Sequence, residues 1–484
     1  MPTIPGTHAR RFASLAVPAR VGLGLLLAAV LGGGCKKHKK PAAASAPEAP
    51  SAKAASPPSA RCSAVKRGAS FTIGRPGQNN AGDGDDDVPL PFAVDPGSAV
   101  PLPSGFAVSA LQSMDGGTGA VIAIVGPDAD SGKLVDLGRV YGDADPPRLA
   151  ARDGHLVVAL AGNDASGATL RLVAIRTPTG AADVVWGREM EQGNDQSQVF
   201  GVELGKQRGV LVWDDWDKRG DHGVIRGSTF ALDDVSNATR PRVLSPKDDD
   251  AEAPRIVRRP GGFWLAWISH TRAHAKRPGA SKLAAKTAPV ASAGPGAGSG
   301  IVELGSRWLE LVPLDENGSP TAPPIAVTQH DAHVLVFDVA PAPDSGALLA
   351  WRDDEAAPGA EGRIVHLARV RPGGSTETHV LDDEKVGAGV PTLLVDQHPS
   401  KNAGPQAAWL SLAGVSDETR LAALDDQGKL IDELSTDRVL RHAEPVVLDR
   451  GRMLLAAPHG LALELSTATC QVQKNAPRPA ASGN

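Results

Sequence analysis

The feature that most constrains this chain is a pair of strands that recurs along it. Its clearest copy is Pro254-Arg-Ile-Val-Arg-Arg-Pro-Gly-Gly-Phe-Trp-Leu-Ala-Trp267, a short alternating strand, a Pro-Gly-Gly turn and a nearly all-apolar strand. Similar pairs end near Trp213, Trp351 and Trp409, so the four tryptophans are 54, 84 and 58 residues apart. The long interval contains residues 276–300, a Lys/Ala/Pro/Gly/Ser-rich stretch that we interpret as a disordered insertion. Without it the period is again close to that of the other repeats.

Each repeat contains four short strands, named A to D here in chain order. Strand A often begins with Pro, a Gly-containing turn leads to strand B, and strand C alternates apolar and polar residues. Four strands per repeat at this spacing are typical of a β-propeller. The 54 Gly and 40 Pro residues fit many tight turns. We therefore predict an all-β fold, a propeller with seven four-stranded blades. Because the strand pattern of the first repeat is weak, six and eight blades stay as alternatives.

The two ends of the repeat region complete each other. The last repeat has three strands, Pro445–Leu448, Met453–Ala457 and Leu461–Leu465, and then the pattern stops. Its missing strand D is predicted to be Ala64–Ile73, so that an N-terminal strand completes the last blade and leaves no open sheet edge. This pairing places Cys62, before strand D, close to Cys470, after strand C. We predict a disulfide between these two cysteines.

The recurring tryptophans allow two interpretations. They could form an aromatic strip for a ligand, or they could pack between neighbouring blades. We favour packing, because large aromatic side chains dominate the energetics of a core.

The first 35 residues form a separate unit. Arg10, Arg11 and Arg20 precede an apolar run, Val21–Leu31, and three glycines then lead to Cys35. This run is too short for a comfortable membrane span, and its flanks are those of a secretory signal. Residues 1–35 resemble the signal peptide of bacterial lipoproteins. In that family the Cys is lipidated and becomes the mature N-terminus, which implies lipidation at Cys35. The alternative is an ordinary cleaved signal, since Leu31 lies four residues before Cys35 rather than three.

The flanking segments are predicted to be disordered. Residues 36–61 are rich in Ala, Pro and Ser and read as a tether, residues 62–473 form the propeller, and residues 474–484 form a flexible tail. The formal net charge is −5 and the pI is about 6.2, which argues against nucleic acid as a partner. We expect a monomer that is held to the membrane by its lipid anchor and faces the periplasm or the cell surface.

Acidic residues concentrate on one predicted face of the ring. The D–A and B–C connections lie on this face, called the loop face here, and the A–B and C–D turns lie on the opposite one, the turn face. The turns are mostly Gly/Pro types such as Pro372-Gly-Gly. The candidate acidic rim on the loop face, for a cation or a basic ligand, consists of Asp145, Asp214, Asp215, Asp217, Asp249, Asp250, Asp331, Asp353, Asp354 and Asp383. The alternative is that Asp simply favours turns on a soluble surface.

Motifs that would specify an activity are absent from the sequence. There is no Gly-x-Ser-x-Gly, His-Glu-x-x-His, Cys-x-x-Cys or phosphate-binding Gly-rich loop. We expect no cofactor, with a structural or ligand-bridging Ca²⁺ as the alternative. The favoured function is a module at the cell envelope that binds a protein or a glycan. The alternative is a propeller hydrolase or lyase that acts on an extracellular polymer through carboxylates of the acidic rim.

Overall fold

The structure is a computed structural model. It describes residues 59–73, 94–114, 117–140, 145–164, 167–176, 183–191, 199–217, 222–247, 249–270, 306–353, 364–381, 390–396, 398, 408–413, 418–431, 439–441 and 443–473. The predicted signal peptide with Cys35, most of the tether, the insertion 276–300 and the tail lie outside these residues. Asp354 and Asp383 of the candidate acidic rim also lie outside them.

The described strands form seven antiparallel sheets, which follow one another along the chain as the blades of a β-propeller. Strands β1 (Ser59–Cys62) and β2 (Lys66–Thr72) come first in the chain and belong to the last blade. Blades 1 to 3 consist of β3 (Val94–Leu102), β4 (Gly105–Met114), β5 (Gly117–Val125), β6 (Gly132–Val140); β7 (Arg148–Arg152), β8 (His155–Asp164), β9 (Gly167–Arg176), β10 (Asp183–Glu191); and β11 (Phe200–Leu204), β12 (Arg208–Asp217), β13 (His222–Ala231), β14 (Arg242–Val243). A short 3₁₀ turn, Val235–Asn237, precedes β14.

Blades 4 to 7 follow in the same order. They consist of β15 (Asp250–Arg259), β16 (Gly262–His270), β17 (Arg307–Asp315), β18 (Ile325–Ala326); β19 (Val334–Pro341), β20 (Ala347–Asp353), β21 (Ile364–Val370), β22 (Thr376–Leu381); β23 (Pro391–Val395), β24 (Ala408–Ala413), β25 (Glu418–Leu424), β26 (Val439–Arg441); and β27 (Glu444–Asp449), β28 (Arg452–His459), β29 (Ala462–Gln473). The seven-bladed prediction is confirmed.

Packing between adjacent blades holds the ring together. The innermost strands β3, β7, β11, β15, β19, β23 and β27 each contact the innermost strands on either side, and β27 contacts β3, so the circle closes. Among the described residues an apolar cluster fills each interface between neighbouring blades. Burial of apolar surface contributes roughly 25 cal/mol per Å², so these interfaces supply most of the driving force for folding.

The recurring tryptophans lie in these clusters. Trp213 packs between blades 2 and 3, Trp267 between blades 3 and 4, Trp351 between blades 4 and 5, and Trp409 between blades 6 and 7. Trp213 and Trp267 are fully buried. The indole nitrogen of Trp267 donates a hydrogen bond to Ser269 Oγ over 2.9 Å. The prediction that these side chains belong to the core is confirmed.

The Pro-Gly-Gly turn of blade 4 shows why glycine is required between strands A and B. Gly261 has φ +77 and Gly262 has φ +151, conformations that L side chains rarely adopt. A Cβ atom on Gly262 would also lie 2.0 Å from the carbonyl oxygen of Leu314. The turn therefore brings β16 close against β17, and any other residue at Gly262 would push the two strands apart.

The last blade is completed from the N-terminal end, as predicted. Strands β1 and β2 both run antiparallel along the outer edge of β29, separated by an irregularity at residues 63–65. Cys62 lies directly opposite Cys470 and forms a disulfide with it. The pairing continues further than the sequence indicated, because β29 extends to Gln473 and β1 begins at Ser59. Both cysteines therefore lie within paired strands, and the last three residues of the predicted tether are part of the blade.

One strand differs in position from its sequence pattern. The apolar pattern Leu90-Pro-Phe-Ala-Val94 predicts strand A of blade 1, but the described strand runs over Val94–Leu102 and includes Asp95-Pro-Gly, whose residue types favour a turn. An innermost strand has one unpaired edge, and a register shift after Pro96 accommodates the Pro-Gly pair. The pattern Leu430–Leu434 predicts strand D of blade 6, and its described residues Leu430 and Ile431 do pair with β25, as Val439–Arg441 do further along. Within the described residues, no helix is long and apolar enough to cross a membrane.

Candidate functional site

The innermost strands surround an axial channel, which widens into a pocket at the turn face. The cavity has a volume of about 710 Å³ and is lined by the ends of innermost strands from all seven blades and by the turns that follow them. Pockets that hold small ligands usually enclose about 300–1,000 Å³. The position of this pocket follows from the fold, because each strand A runs towards the turn face and brings its last residues to the edge of the pocket.

Charged side chains line this turn-face pocket. The cations are Arg152, Lys206, Arg258, Arg259 and Arg450, and the anions are Asp153, Glu203, Glu316 and Asp396. His155 and His398 also line it. Apart from the histidines, the pocket therefore has one more cation than anion among the described residues. Proline and short apolar residues such as Ala99 and Ala151 form the rest of the wall.

Several of these charges are already engaged. Arg152 Nε lies 3.2 Å from Asp153 Oδ2, and the Arg259 guanidinium lies over the Trp264 ring at 4.8 Å. Arg259 also donates hydrogen bonds to the carbonyl oxygens of Phe263 and Leu314. These contacts fix the two arginines to the wall. They are therefore poor candidates for the group that first meets a ligand.

The anion Asp396 has a structural role. Its carboxylate accepts hydrogen bonds from the backbone N–H groups of His398, Arg450 and Gly451 over 3.0, 2.7 and 2.7 Å. Charged acceptors of backbone N–H groups make strong hydrogen bonds, so Asp396 ties the turn of blade 7 to blade 6. Its charge is consequently directed into the protein rather than into the pocket.

Glu203 lines the pocket and has a pKa well above the usual value of a glutamate. Burial raises its pKa to about 7, although the charges of Arg258 and Arg152 and a hydrogen bond from the Leu204 N–H act in the opposite direction. Near neutral pH this side chain therefore changes between a charged and a neutral form. Within the described residues, the side chains of its neighbour Arg258 and of Lys206 form no hydrogen bond or ion pair with another side chain.

Further along the channel the innermost strands present a second group of charges. Arg148 of β7 is deeply surrounded by protein, and burial together with the nearby Arg255 lowers its pKa to about 10. Asp338 of β19 lies close to both arginines and accepts a hydrogen bond from the Leu393 N–H over 2.8 Å. Burial raises the pKa of Asp338. Two cations and one anion with a raised pKa thus lie along this part of the channel.

Carboxylates collect at the loop-face end of the same channel. Asp145 precedes β7 and lies near Asp95 at the start of β3, while Glu444 begins β27. Burial and the charge of Asp145 raise the pKa of Asp95, and burial and the charge of Asp95 raise that of Glu444. The channel is therefore acidic at the loop face and richer in cations towards the turn-face pocket.

The other rim residues are mostly occupied in structural contacts. Asp214 and Asp215 are buried, and Asp215 forms an ion pair with Arg226 while accepting the Trp216 N–H over 2.8 Å. Asp214 accepts the Ala253 N–H of the next blade over 3.4 Å, and Asp250 accepts the Gly223 N–H over 2.7 Å. Asp214 and Asp250 therefore connect blades 3 and 4, whereas these contacts of Asp215 lie within blade 3.

The remaining described members lie apart from them. Asp217, at the end of β12, is half-buried, Asp249 bonds through its backbone N–H to Pro246, and Asp331 is exposed. Asp353 Oδ2 lies 4.0 Å from His366 Nε2. No group of three or more His, Cys, Asp or Glu side chains within the described residues could hold a metal ion. The acidic rim as a ligand site therefore stays a prediction, and Asp145 is the member that lies at the channel.

Glu252, next to the rim, forms the clearest ion pair of the loop face. Its carboxylate contacts Arg307, and its Oε1 lies 3.0 Å from His270 Nε2. Burial alone would raise the pKa of Glu252, but His270 and Arg307 outweigh it, so its pKa is below the usual value. This contact joins β15 to β16 and β17 of the same blade and is structural.

The pocket residues Glu203 and Arg258 were missed in the sequence because both lie within strands. They alternate with apolar residues in Phe200–Leu204 and Asp250–Arg259, a pattern that usually indicates a solvated strand face. The feature of the sequence that could have identified Glu203 and Arg258 is their position near the end of strand A. A charge near the end of strand A lies beside the axis, where no outer surface is available.

Comparisons with known proteins bear on the architecture. No protein-family model matches the chain, and no curated protein is significantly similar to it. The fold is similar to the β-propeller domain of the Trilobed protease from Pyrococcus furiosus, with 9% identity, a TM-score of 0.43, and coverage of 81% of this chain and 99% of that one.

Two similar structures are enzymes that act on polysaccharides. An α-L-arabinanase from Penicillium chrysogenum, complexed with arabinobiose, is 10% identical with a TM-score of 0.39 and coverage of 79% of this chain and 94% of that one. A polysaccharide lyase is 5% identical with a TM-score of 0.46 and coverage of 77% and 89%. At these distances the similarities describe strand arrangement alone and indicate no activity for this chain.

Proposed function

We propose that this protein is an exported, lipid-anchored β-propeller that acts as a binding module at the cell envelope and takes its ligand in the turn-face pocket. The observation that carries the proposal is the cavity of about 710 Å³ into which all seven blades contribute residues. The walls of this site are the ends of paired strands and the short turns that follow them. A rigid wall lowers the entropy cost of ordering a site when a ligand binds.

The described chain begins on the same side of the propeller as the pocket. Ser59 pairs with Gln473 at the end of β29, and the third strand of a blade ends at the turn face. Ser59, the first described residue, therefore lies at the turn face. Export rests on the basic, apolar and Gly-rich segments of residues 1–35, and lipidation rests on Cys35.

Labelling with a fatty-acid probe tests the anchor. Cells that express the full chain are fed the probe, and the label is expected on the wild type and absent from Cys35→Ala. The Cys62→Ser/Cys470→Ser double variant, in which Cys35 is intact, serves as the control and should keep the label. Label that survives Cys35→Ala would contradict the proposed lipidation.

Ligand binding in the pocket is tested by filling it. The full chain is screened by thermal unfolding against neutral oligosaccharides, uronic-acid oligosaccharides, peptides and inorganic oxyanions. We expect one class to raise the Tm, as a ligand that binds only the folded state must. Ala151→Trp, on the pocket wall, should abolish the shift, and Ala64→Trp, on the exposed outer edge of blade 7, should keep it. A shift that survives Ala151→Trp would place the ligand elsewhere.

A second candidate is a hydrolase or lyase that acts on an extracellular polymer, which Glu203 favours. A carboxyl group with a pKa of about 7 in a pocket has the property of a general acid or base. This candidate predicts cleavage of a polysaccharide by the wild type and loss of cleavage in Glu203→Gln with binding retained. Binding of a polysaccharide without any cleavage by the wild type favours the binding module.

A further inference from the structure

The turn-face pocket contains two cations that no carboxylate of the described residues neutralises by direct contact. Arg258 lies on β15, and Lys206 follows β11, where its backbone N–H donates to Glu316 over 3.1 Å. Their side chains form no hydrogen bond or ion pair within the described part of the chain. Arg152 and Arg259, by contrast, are engaged as described above. The pocket therefore offers a guanidinium and an ammonium group to a ligand.

We propose that the turn-face pocket binds an oxyanion group of its ligand, a carboxylate, phosphate or sulfate, on Arg258 and Lys206, and that Glu203 has to be protonated for tight binding. This inference deepens the proposed function and rests on it. No covalent step is involved. The proton on Glu203 comes from solvent and returns to it when the ligand leaves.

The two cations suit an oxyanion for different reasons. A guanidinium group presents paired N–H donors that match two oxygens of a carboxylate, phosphate or sulfate. An ammonium group acts as a compact charge on a flexible stem, so Lys206 can follow ligands of different size. A neutral sugar would displace water from Arg258 without supplying an opposite charge, which is unfavourable for a cation.

Glu203 couples this binding to pH because of its neighbours. The charges of Arg258 on β15 and Arg152 on β7 act on its carboxyl group, and Asp153, His155, Lys206 and Glu316 line the same pocket. When Glu203 is charged, Arg258 is attracted to it and an incoming anion is repelled. When Glu203 is protonated, this competition ends. Since its pKa is about 7, the competent form predominates at pH 6 and is a minority at pH 8.

The test is a calorimetric titration of the full chain with sulfate, an anion that does not titrate between pH 6 and 8. If only the protonated form binds, the affinity should be about tenfold higher at pH 6 than at pH 8. Glu203→Gln should bind at both pH values as the wild type does at pH 6. An affinity of the wild type that is equal at both pH values would overturn the role of Glu203.

Substitution of the cation tests the site itself. Arg258→Gln should lose at least about tenfold in affinity for sulfate, because a charge-assisted hydrogen bond is removed. Arg258→Lys keeps the charge without the paired donors and should lose less, which separates loss of the site from loss of the fold. Lys66→Gln, on the exposed outer strand β2, is the matched control and should bind as the wild type does. Unchanged binding by Arg258→Gln would overturn the proposal.

A second pair of probes distinguishes between the possible sources of the oxyanion. A uronic-acid disaccharide that competes with sulfate, while its neutral counterpart does not, would indicate an acidic glycan. Competition by inorganic phosphate alone would indicate a free anion. A neutral ligand could raise the Tm in a way that Ala151→Trp abolishes and Arg258→Gln leaves unchanged. In that case the pocket function stands and the oxyanion inference fails. If sulfate binding survives Ala151→Trp, both fail.

Discussion

Cys62 and Cys470 face each other across an antiparallel strand pair, with Cα atoms 4.1 Å apart although the two residues are 408 positions apart in the sequence. The bond joins the outer strand of blade 7, which comes from the N-terminal end of the propeller, to its third strand. The ring is therefore closed both by main-chain hydrogen bonds and by a covalent link.

We predict that the Cys62→Ser/Cys470→Ser double variant is less stable by about 2–5 kcal/mol. A link across a chain this long removes much of the freedom of the unfolded state, so its loss favours unfolding. Urea unfolding without reductant measures the difference. Cys35→Ala is the control, since its cysteine lies outside the propeller, and it should unfold at the wild-type midpoint. An unchanged midpoint in the double variant would show that the link does not stabilise the ring.

Trp267 should be among the costliest residues to remove. It is fully buried between blades 3 and 4, and Trp267→Ala should lower the free energy of unfolding by about 3–5 kcal/mol, because a cavity remains. Val243, 45% exposed on the outer strand of blade 3, provides the control, and Val243→Ala should change it by less than about 0.5 kcal/mol. Equal effects of the two substitutions in chemical unfolding would contradict the packing described here.

Glu203 should make the protein less stable as the pH rises. Its folded pKa of about 7 lies above the usual value of 4.5, so the folded state holds an extra proton between these values. The stability it contributes is present below pH 4.5 and is lost as the pH rises through about 7. Glu203→Gln should therefore be more stable than the wild type at pH 8, by about 1–2 kcal/mol after allowance for solvent in the pocket. No gain at pH 8 would contradict the raised pKa.

Glu252 should have the opposite dependence on pH. Its lowered pKa means that its contacts with Arg307 and His270 stabilise the fold above the usual pKa of 4.5 and lose this effect as the pH falls through the lowered value. At pH 7, Glu252→Gln should cost about 0.5–1 kcal/mol, a small value because this side chain is 40% exposed. At pH 3 the difference should shrink. Asp331→Asn, an exposed rim residue, should show no such dependence in thermal unfolding.

The fold could be predicted because its signals are local and repeated. The Pro254–Trp267 strand pair combines a glycine turn with an apolar strand, and both are dictated by backbone and burial requirements. Strand A of blade 1 was misplaced because Asp95-Pro-Gly has the residue types of a turn, whereas the strand Val94–Leu102 passes through it with a register shift. Such an irregularity depends on the unpaired edge of an innermost strand, which the local sequence does not reveal.

The site could not be predicted to the same degree. Asp214 and Asp145 have the same chemistry and both lie in loop-face segments, yet one is buried against blade 4 and the other lies at the channel. An Asp in sequence does not reveal whether its carboxylate accepts a backbone N–H or faces solvent. Glu203 and Arg258 come from different blades, 55 residues apart in the chain. The packing of β11 against β15, the innermost strands of adjacent blades, brings them to one pocket.

The most direct test of the account is a crystal structure of the full chain soaked with selenate at pH 6, because the anomalous signal of selenium locates the anion. We predict a peak within hydrogen-bond distance of the Arg258 guanidinium in the turn-face pocket, and no such peak in Arg258→Gln crystals. A pocket without the anion in wild-type crystals, or a peak that persists in Arg258→Gln, would contradict the assignment of the ligand site.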